Sequence, residues 1–198
     1  MSPKIFGIGL PKTGTRSLQA ALELLGYRSV HYPVTWEEID SHEAAAGMSI
    51  ACQFEELDRL YPGSQYILTV RDLNQWLQSC KHHYGQRISP DELSPQLGEV
   101  ILGFMQKAYG TVSYEPALFQ DAYSRHIQHV QNYFDHRPQD LLIINIGGGN
   151  EWERLCPFVG KPIPYLPFPH QNKKCESLPL IRQQISSKLA HNSGDLLN

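Results

Sequence analysis

Lys4-Ile5-Phe6-Gly7-Ile8-Gly9-Leu10-Pro11-Lys12-Thr13-Gly14-Thr15-Arg16-Ser17-Leu18 is the stretch whose reading decides the fold. Its first half is a short apolar run, its middle a glycine-bearing turn, and from Leu18 the apolar positions Ala21, Leu22 and Leu25 recur at helical spacing. Strand, turn, helix is the reading. Gly26 stops the helix, and Tyr27-Arg28-Ser29-Val30-His31-Tyr32 predicts a second short strand, which makes the start of the chain a βαβ unit.

The same alternation continues. Residues 33 to 50 are polar and mixed, Phe54, Leu57 and Leu60 mark a helix, and Tyr61-Pro62-Gly63-Ser64 turns into the strand Gln65-Tyr66-Ile67-Leu68-Thr69-Val70. Arg71-Asp72 follows directly, then a helix carrying Trp76, Leu77 and Cys80. From Tyr84 to Tyr114, Ser89-Pro90 and Ser94-Pro95 break the pattern, and a mobile, substrate-facing cover is expected. Leu118, Phe119, Ala122, Tyr123, Ile127, Val130, Tyr133 and Phe134 give a long amphipathic helix over 116–136, closed by Arg137-Pro138. Leu141-Leu142-Ile143-Ile144-Asn145-Ile146 is a core strand, followed by Gly147-Gly148-Gly149 and a short helix through Trp152, Leu155 and Phe158. Continuous apolar strands between helices predict an α/β three-layer sandwich, P-loop-like, with a mainly parallel central sheet.

Length and charge bound the function. With 198 residues one domain over 1–198 is expected, its last stretch from about 175 being a peripheral helix or a disordered tail. Lys+Arg 17 against Asp+Glu 20 gives a formal charge of −3, which leaves no basic excess to hold a nucleic-acid backbone. No apolar run reaches the ~18–20 residues that cross a bilayer, and no signal-peptide core follows Met1, so a cytoplasmic protein is expected. Cys52, Cys80, Cys156 and Cys175 form no CxxC pair, which argues against a zinc site or disulfide framework and for free, mostly buried thiols.

In such folds ligands sit at the carboxyl ends of the strands, which turns attention to residues 11–17. Backbone N–H groups and the dipole at a helix start favour a phosphate there, Gly14 permits close approach, and Thr13, Thr15 and Ser17 add hydroxyl donors beside the cation of Lys12. The spacing from Gly9 to Gly14 fits the start of a Walker A loop. That motif continues Gly-Lys-Ser/Thr, whereas Gly14 is followed by Thr15-Arg16 and the lysine precedes the glycine by two. Ordinary ATP or GTP hydrolysis is disfavoured.

Pro11-Lys12-Thr13-Gly14-Thr15-Arg16-Ser17-Leu18 instead resembles the 5′-phosphosulfate loop of the sulfotransferases that use 3′-phosphoadenosine 5′-phosphosulfate (PAPS). That family reads the 3′-phosphate with an Arg ending a strand and a Ser eight residues later, and Arg71 and Ser79 stand at that spacing. Trp152, Leu155-Cys156-Pro157-Phe158-Val159-Gly160-Lys161-Pro162 and Pro167-Phe168-Pro169-His170-Gln171-Asn172-Lys173 are similar to the closing segment of a compact bacterial, cyanobacterial-type branch, as is Tyr61-Pro62-Gly63-Ser64 with its strand.

The resemblance implies transfer of a sulfuryl group from PAPS to a hydroxyl or amine of a small-molecule acceptor, releasing adenosine 3′,5′-bisphosphate without a metal. It implies Lys12 as the catalytic cation, with Thr13, Gly14, Thr15 and Ser17 at the 5′-phosphate and Arg71 and Ser79 at the 3′-phosphate. Arg16 departs from the small hydroxyl residue usual at its position, but a further cation suits an anionic donor. The branch would place an acid where this chain has Ser49, so the general base is unassigned, with His31, His42 and Glu43 as candidates. Two rival readings stand beside the enzyme: a module that binds the donor but has lost transfer, and a degenerate P-loop nucleotide kinase or NTPase. His82-His83 and His126/His129 read as solvated helix faces and not as metal ligands, and Gly147-Gly148-Gly149 as a turn. Tyr32, Trp36, Tyr84, Phe104, Tyr109 and Tyr114 are the aromatic residues of the least regular segments, suited either to the core or to an acceptor pocket.

Overall fold

The computed structural model describes residues 1–85 and 95–170, and side chains within 95–97 are not part of that description. The breaks read at Ser89-Pro90 and Ser94, the matches at Gln171-Asn172-Lys173, the thiol of Cys175 and the tail from 175 lie outside the described residues.

Five strands form one parallel sheet: β1 (Ile5–Gly7), β2 (Ser29–His31), β3 (Ala44–Ala46), β4 (Gln65–Val70) and β5 (Leu141–Asn145). Their order is β2-β3-β1-β4-β5, with Ile5 opposite both Ala44 and Gln65, and Val70 opposite Asn145. All five carboxyl ends therefore lie along one edge.

Period-two alternation sorts the side chains to two faces. Phe6, Ile8, Tyr66 and Leu68 enter one core, whereas Ile5, Ile67, Leu142 and Ile144 enter the other. Helices α1 (Thr15–Leu24) and α8 (Glu151–Phe158) cover the second face through Leu18, Ala21, Leu22, Trp152 and Leu155. The first face takes α3 (Met48–Ala51), α4 (Phe54–Leu60), α5 (Leu73–Tyr84), α6 (Pro95–Tyr109) and α7 (Pro116–Tyr133), with α2 (Trp36–Asp40) supplying Ile39. Both sheet faces are covered, which is why the strands read as continuous apolar runs.

Two expectations change here. Ala44-Ala45-Ala46, read as part of a mixed stretch, is an inner strand between β2 and β1, with all three residues buried. The expected cover holds α6, whose Phe104, Met105 and Tyr109 belong to the main core. The ring of Tyr109 stacks on Phe119 of α7 at 4.1 Å, so this helix is structural along that face.

Candidate active site

The turn after β1 is held by its own backbone and by β4. Thr13 donates its hydroxyl to the Leu10 carbonyl at 2.6 Å, and lies 2.6 Å from the Thr69 hydroxyl. Its N–H also reaches Leu10 O, at 3.3 Å. Lys12 and Gly14 on either side have left-handed backbones, φ 72° and 108°. For a lysine that conformation costs on the order of 1–2 kcal/mol, which the surrounding bonds must hold. At Gly9 a Cβ would stand 1.9 Å from Thr69 Oγ1, so only glycine lets the turn lie this close to β4. At Gly14 it would stand 2.7 Å from Ile146 Cβ, which places the end of β5 against the turn as well.

Gly14 is the N-cap of α1, and no side chain caps the helix there. The helical ladder begins with Leu18 N–H on Gly14 O, so the N–H groups of the first turn, at Thr15, Arg16 and Ser17, are directed to the turn's mouth. With the helix dipole they make an anion seat at the carboxyl edge of the sheet.

Two further elements close on this turn. Trp76 of α5 donates Nε1–H to Pro11 O at 2.8 Å, and Arg71, just past β4, donates from a guanidinium N–H to Lys12 O at 3.5 Å. The Arg71 backbone is fixed in turn by Tyr123, whose hydroxyl accepts from Arg71 N–H and donates to Arg71 O. Ser79 is half-buried on α5, three residues beyond the fully buried Trp76. Asp72 accepts from Gln75 N–H and caps α5.

The geometry separates the three candidate bases. His31 ends β2 on the carboxyl edge, with Nε2 3.1 Å from Thr15 Oγ1. Glu43 precedes β3, its carbonyl accepting from Ile5 N–H, and therefore lies at the amino edge with His42. Its carboxylate accepts from Arg28 N–H, a bond that holds its pKa below the ordinary range, and His42 Nδ1 lies 2.6 Å from Glu38 O. Sequence distance hid this: both are a strand's length from the turn. Ser49 does sit past the carboxyl end of β3, but fully buried, with no hydrogen-bond partner for its hydroxyl.

Two other predicted features take definite places. Gly147 donates its N–H to the carboxylate of buried Glu151 at the start of α8, so the glycine run folds around an acid. Burial pushes that carboxyl up, yet backbone N–H groups of Glu151, Gly147 and Gly149 bring it below its ordinary value. His126 is a half-buried α7 residue whose Nε2 meets Ile8 O at 2.7 Å, while His129 pairs with Glu55 at 2.6 Å. Among the described residues no His/Cys/Asp/Glu group is arranged to hold a metal ion.

A residue set aside by the sequence reading belongs to this region. His83 of α5 is only 8% exposed, its ring 4.6 Å from Tyr84, and burial followed by the charges of Lys12, Arg16 and His82 pushes its pKa down to about 4. The legible signal was its spacing with Trp76 and Cys80, which puts 76, 80 and 83 on one buried stripe.

Residues 4–44 and 35–177 match the family model described as a sulfotransferase domain. The chain belongs to that family. A structural neighbour is the crystal structure of a sulfotransferase from Alicyclobacillus acidocaldarius, at TM-score 0.52 and 16% identity, covering 96% of this chain and 92% of that one. At this identity the likeness is one of fold. No curated relative matches. Family membership makes the protein a transferase of the sulfotransferase class, and no described helix is long and apolar enough to cross a membrane.

Proposed function

We propose that this sulfotransferase-family chain moves a sulfuryl group from PAPS to a hydroxyl or amine of a small acceptor, without a metal. The observation that carries the reading is the contact of Arg71 with Lys12 O, which sets a fixed guanidinium beside the helix-start anion seat.

The residues fit a donor with phosphate at both ends. The uncapped start of α1, with Lys12 and Arg16, suits the 5′-phosphosulfate, and Arg71 with Ser79 on α5 suits the 3′-phosphate. Asp72 is engaged as a helix cap and Glu151 in the glycine turn. When bound, PAPS would supply a sulfuryl group on a phosphate leaving group. Lys12 would offset negative charge growing on the leaving oxygen, and the N–H groups of Thr15, Arg16 and Ser17 would hold the phosphate in line for attack. The hydroxyl of Thr13 is committed to Leu10 and Thr69, so we assign it to holding the turn's shape, not to phosphate. Thr15, paired with His31, is the hydroxyl best placed to link donor and acceptor sides.

Incubation with radiolabelled PAPS and a panel of alcohols, phenols and amines tests the reading. Labelled product that disappears in Lys12→Ala is expected. Bisphosphate binding without transfer to any acceptor would instead favour a binding module, and magnesium-dependent ATP turnover a kinase-like one.

A further inference from the structure

Arg71 stands one residue past Val70, the last paired position of β4. There a single side chain from α7 holds both of its backbone groups: the Tyr123 hydroxyl accepts from Arg71 N–H at 2.8 Å and donates to Arg71 O at 2.5 Å. Backbone groups taken from water need such partners, and here one oxygen serves both. A phenol has one proton to give, so this hydroxyl has none left for a ligand. Burial raises its pKa, which keeps that proton in place.

The ring of the same residue faces the other half of the site. Tyr123 is buried in the main core, its centroid 4.5 Å from that of the Trp76 indole, and the indole donates to Pro11 O in the turn after β1. One helical turn further along α7, His126 Nε2 meets Ile8 O just past β1 at 2.7 Å. α7 thus braces the ends of both strands that carry the site, β1 through His126 and β4 through Tyr123. Tyr123 bears on both halves at once, through its hydroxyl on Arg71 and through its ring on the indole that holds the turn.

We propose that Tyr123 is a positioning residue that sets where on the ribose a second phosphate is accepted: by fixing Arg71 relative to the turn at 11–17, it selects a 3′-phosphate over a 2′-phosphate. The inference rests on the PAPS reading above. Phosphates on neighbouring ribose carbons carry the same charge, so charge alone does not separate them. A guanidinium on a pinned backbone does, because its planar fork meets phosphate at one fixed span from the anion seat. Without the hydroxyl, residue 71 is free to turn about its backbone, and its long side chain can follow either phosphate.

The test uses the full chain as wild type, Tyr123→Phe and Tyr133→Phe, the last deleting a hydroxyl elsewhere on α7 that donates to Asp58 at 2.9 Å. Calorimetry compares adenosine 3′,5′-bisphosphate with its 2′,5′ isomer and with adenosine 5′-monophosphate. Wild type should favour the 3′,5′ form over the isomer, and Tyr123→Phe should lose about tenfold of that preference while affinity for the monophosphate changes little. Tyr133→Phe should keep the preference even where its melting temperature falls. A merely structural role would weaken all three ligands alike and leave the preference standing, and that result overturns the proposal. So does an equal loss of preference in Tyr133→Phe, or a wild type that binds the two isomers equally. Should Tyr123→Phe not fold, amide hydrogen exchange of the wild type gives a second readout. The Arg71 N–H should be protected without ligand, and further protected by the 3′,5′ form more than by its isomer. An Arg71 amide that exchanges as freely as an exposed one overturns the proposal. Wild type that binds no bisphosphate brings down the donor reading as well, whereas bisphosphate binding with an unmoved preference brings down only the role of Tyr123.

Discussion

The hydroxyls of Thr13 and Thr69 lie 2.6 Å apart, one on the turn after β1 and the other inside β4. That contact joins the turn to the strand whose end carries Arg71, so the two halves of the proposed donor site share one rigid support. Gly9 is what admits it.

Gly9→Ala should therefore damage stability and site together. Its Cβ would meet Thr69 Oγ1 at 1.9 Å, and backbone Thr69 O at 2.7 Å, so relief requires β1 and β4 to part. A loss of about 1–3 kcal/mol or more in urea unfolding is expected, with bisphosphate binding weakened beyond it. Thr69→Val, which leaves the Thr13 bond to Leu10 O, should cost only about 1 kcal/mol.

Trp76→Phe keeps a ring against Tyr123, now 4.5 Å away, but removes the donor to Pro11 O. Unfolding should lose about 1–2 kcal/mol. Calorimetry should show weaker bisphosphate binding, because α5 no longer registers Ser79 against the turn.

Acid should destabilise the fold in a defined window. Burial holds His83 down to about 4 and lowers His126 as well, so between about pH 4 and the ordinary histidine value near ~6.5 the unfolded chain binds more protons than the folded one. Stability must rise with pH across that window and gain nothing further from these groups above it. Chemical denaturation at several pH values should show the slope, reduced in His83→Gln. An unchanged slope would mean that His83 binds its proton as readily in the folded state as in the unfolded one.

Arg71→Lys should behave nearly as badly as Arg71→Ala. The lysine keeps the charge but loses the planar fork that can contact Lys12 O and a phosphate together. A loss of about tenfold or more in bisphosphate affinity is expected for both, with melting temperature little changed, since the backbone of residue 71 remains held by Tyr123.

Much of this was legible in the sequence because local signals and global fold agree. Gln65–Val70 begins and ends where the apolar run does, and Gly14 marks the start of α1. β3 was not legible because Ala44-Ala45-Ala46 has low strand propensity, and its place is set by pairing on both sides. α6 was obscured by prolines before it, although Phe104 and Tyr109 are core residues. At the candidate site, the place of the turn at the start of α1 and of Arg71 just past β4 could be read from residue types and spacing. The inward hydroxyl of Thr13, the exclusion of His42 and Glu43 to the far edge, and the burial of His83 depend on which element lies beside which. Residue spacing alone does not carry that.

The most direct test of the account is a calorimetric titration of adenosine 3′,5′-bisphosphate into the wild type and Arg71→Ala, with ATP and magnesium alongside. Tight bisphosphate binding that Arg71→Ala loses, with ATP bound far more weakly, is the predicted result. Equal affinity for ATP, or bisphosphate binding indifferent to Arg71, would contradict it.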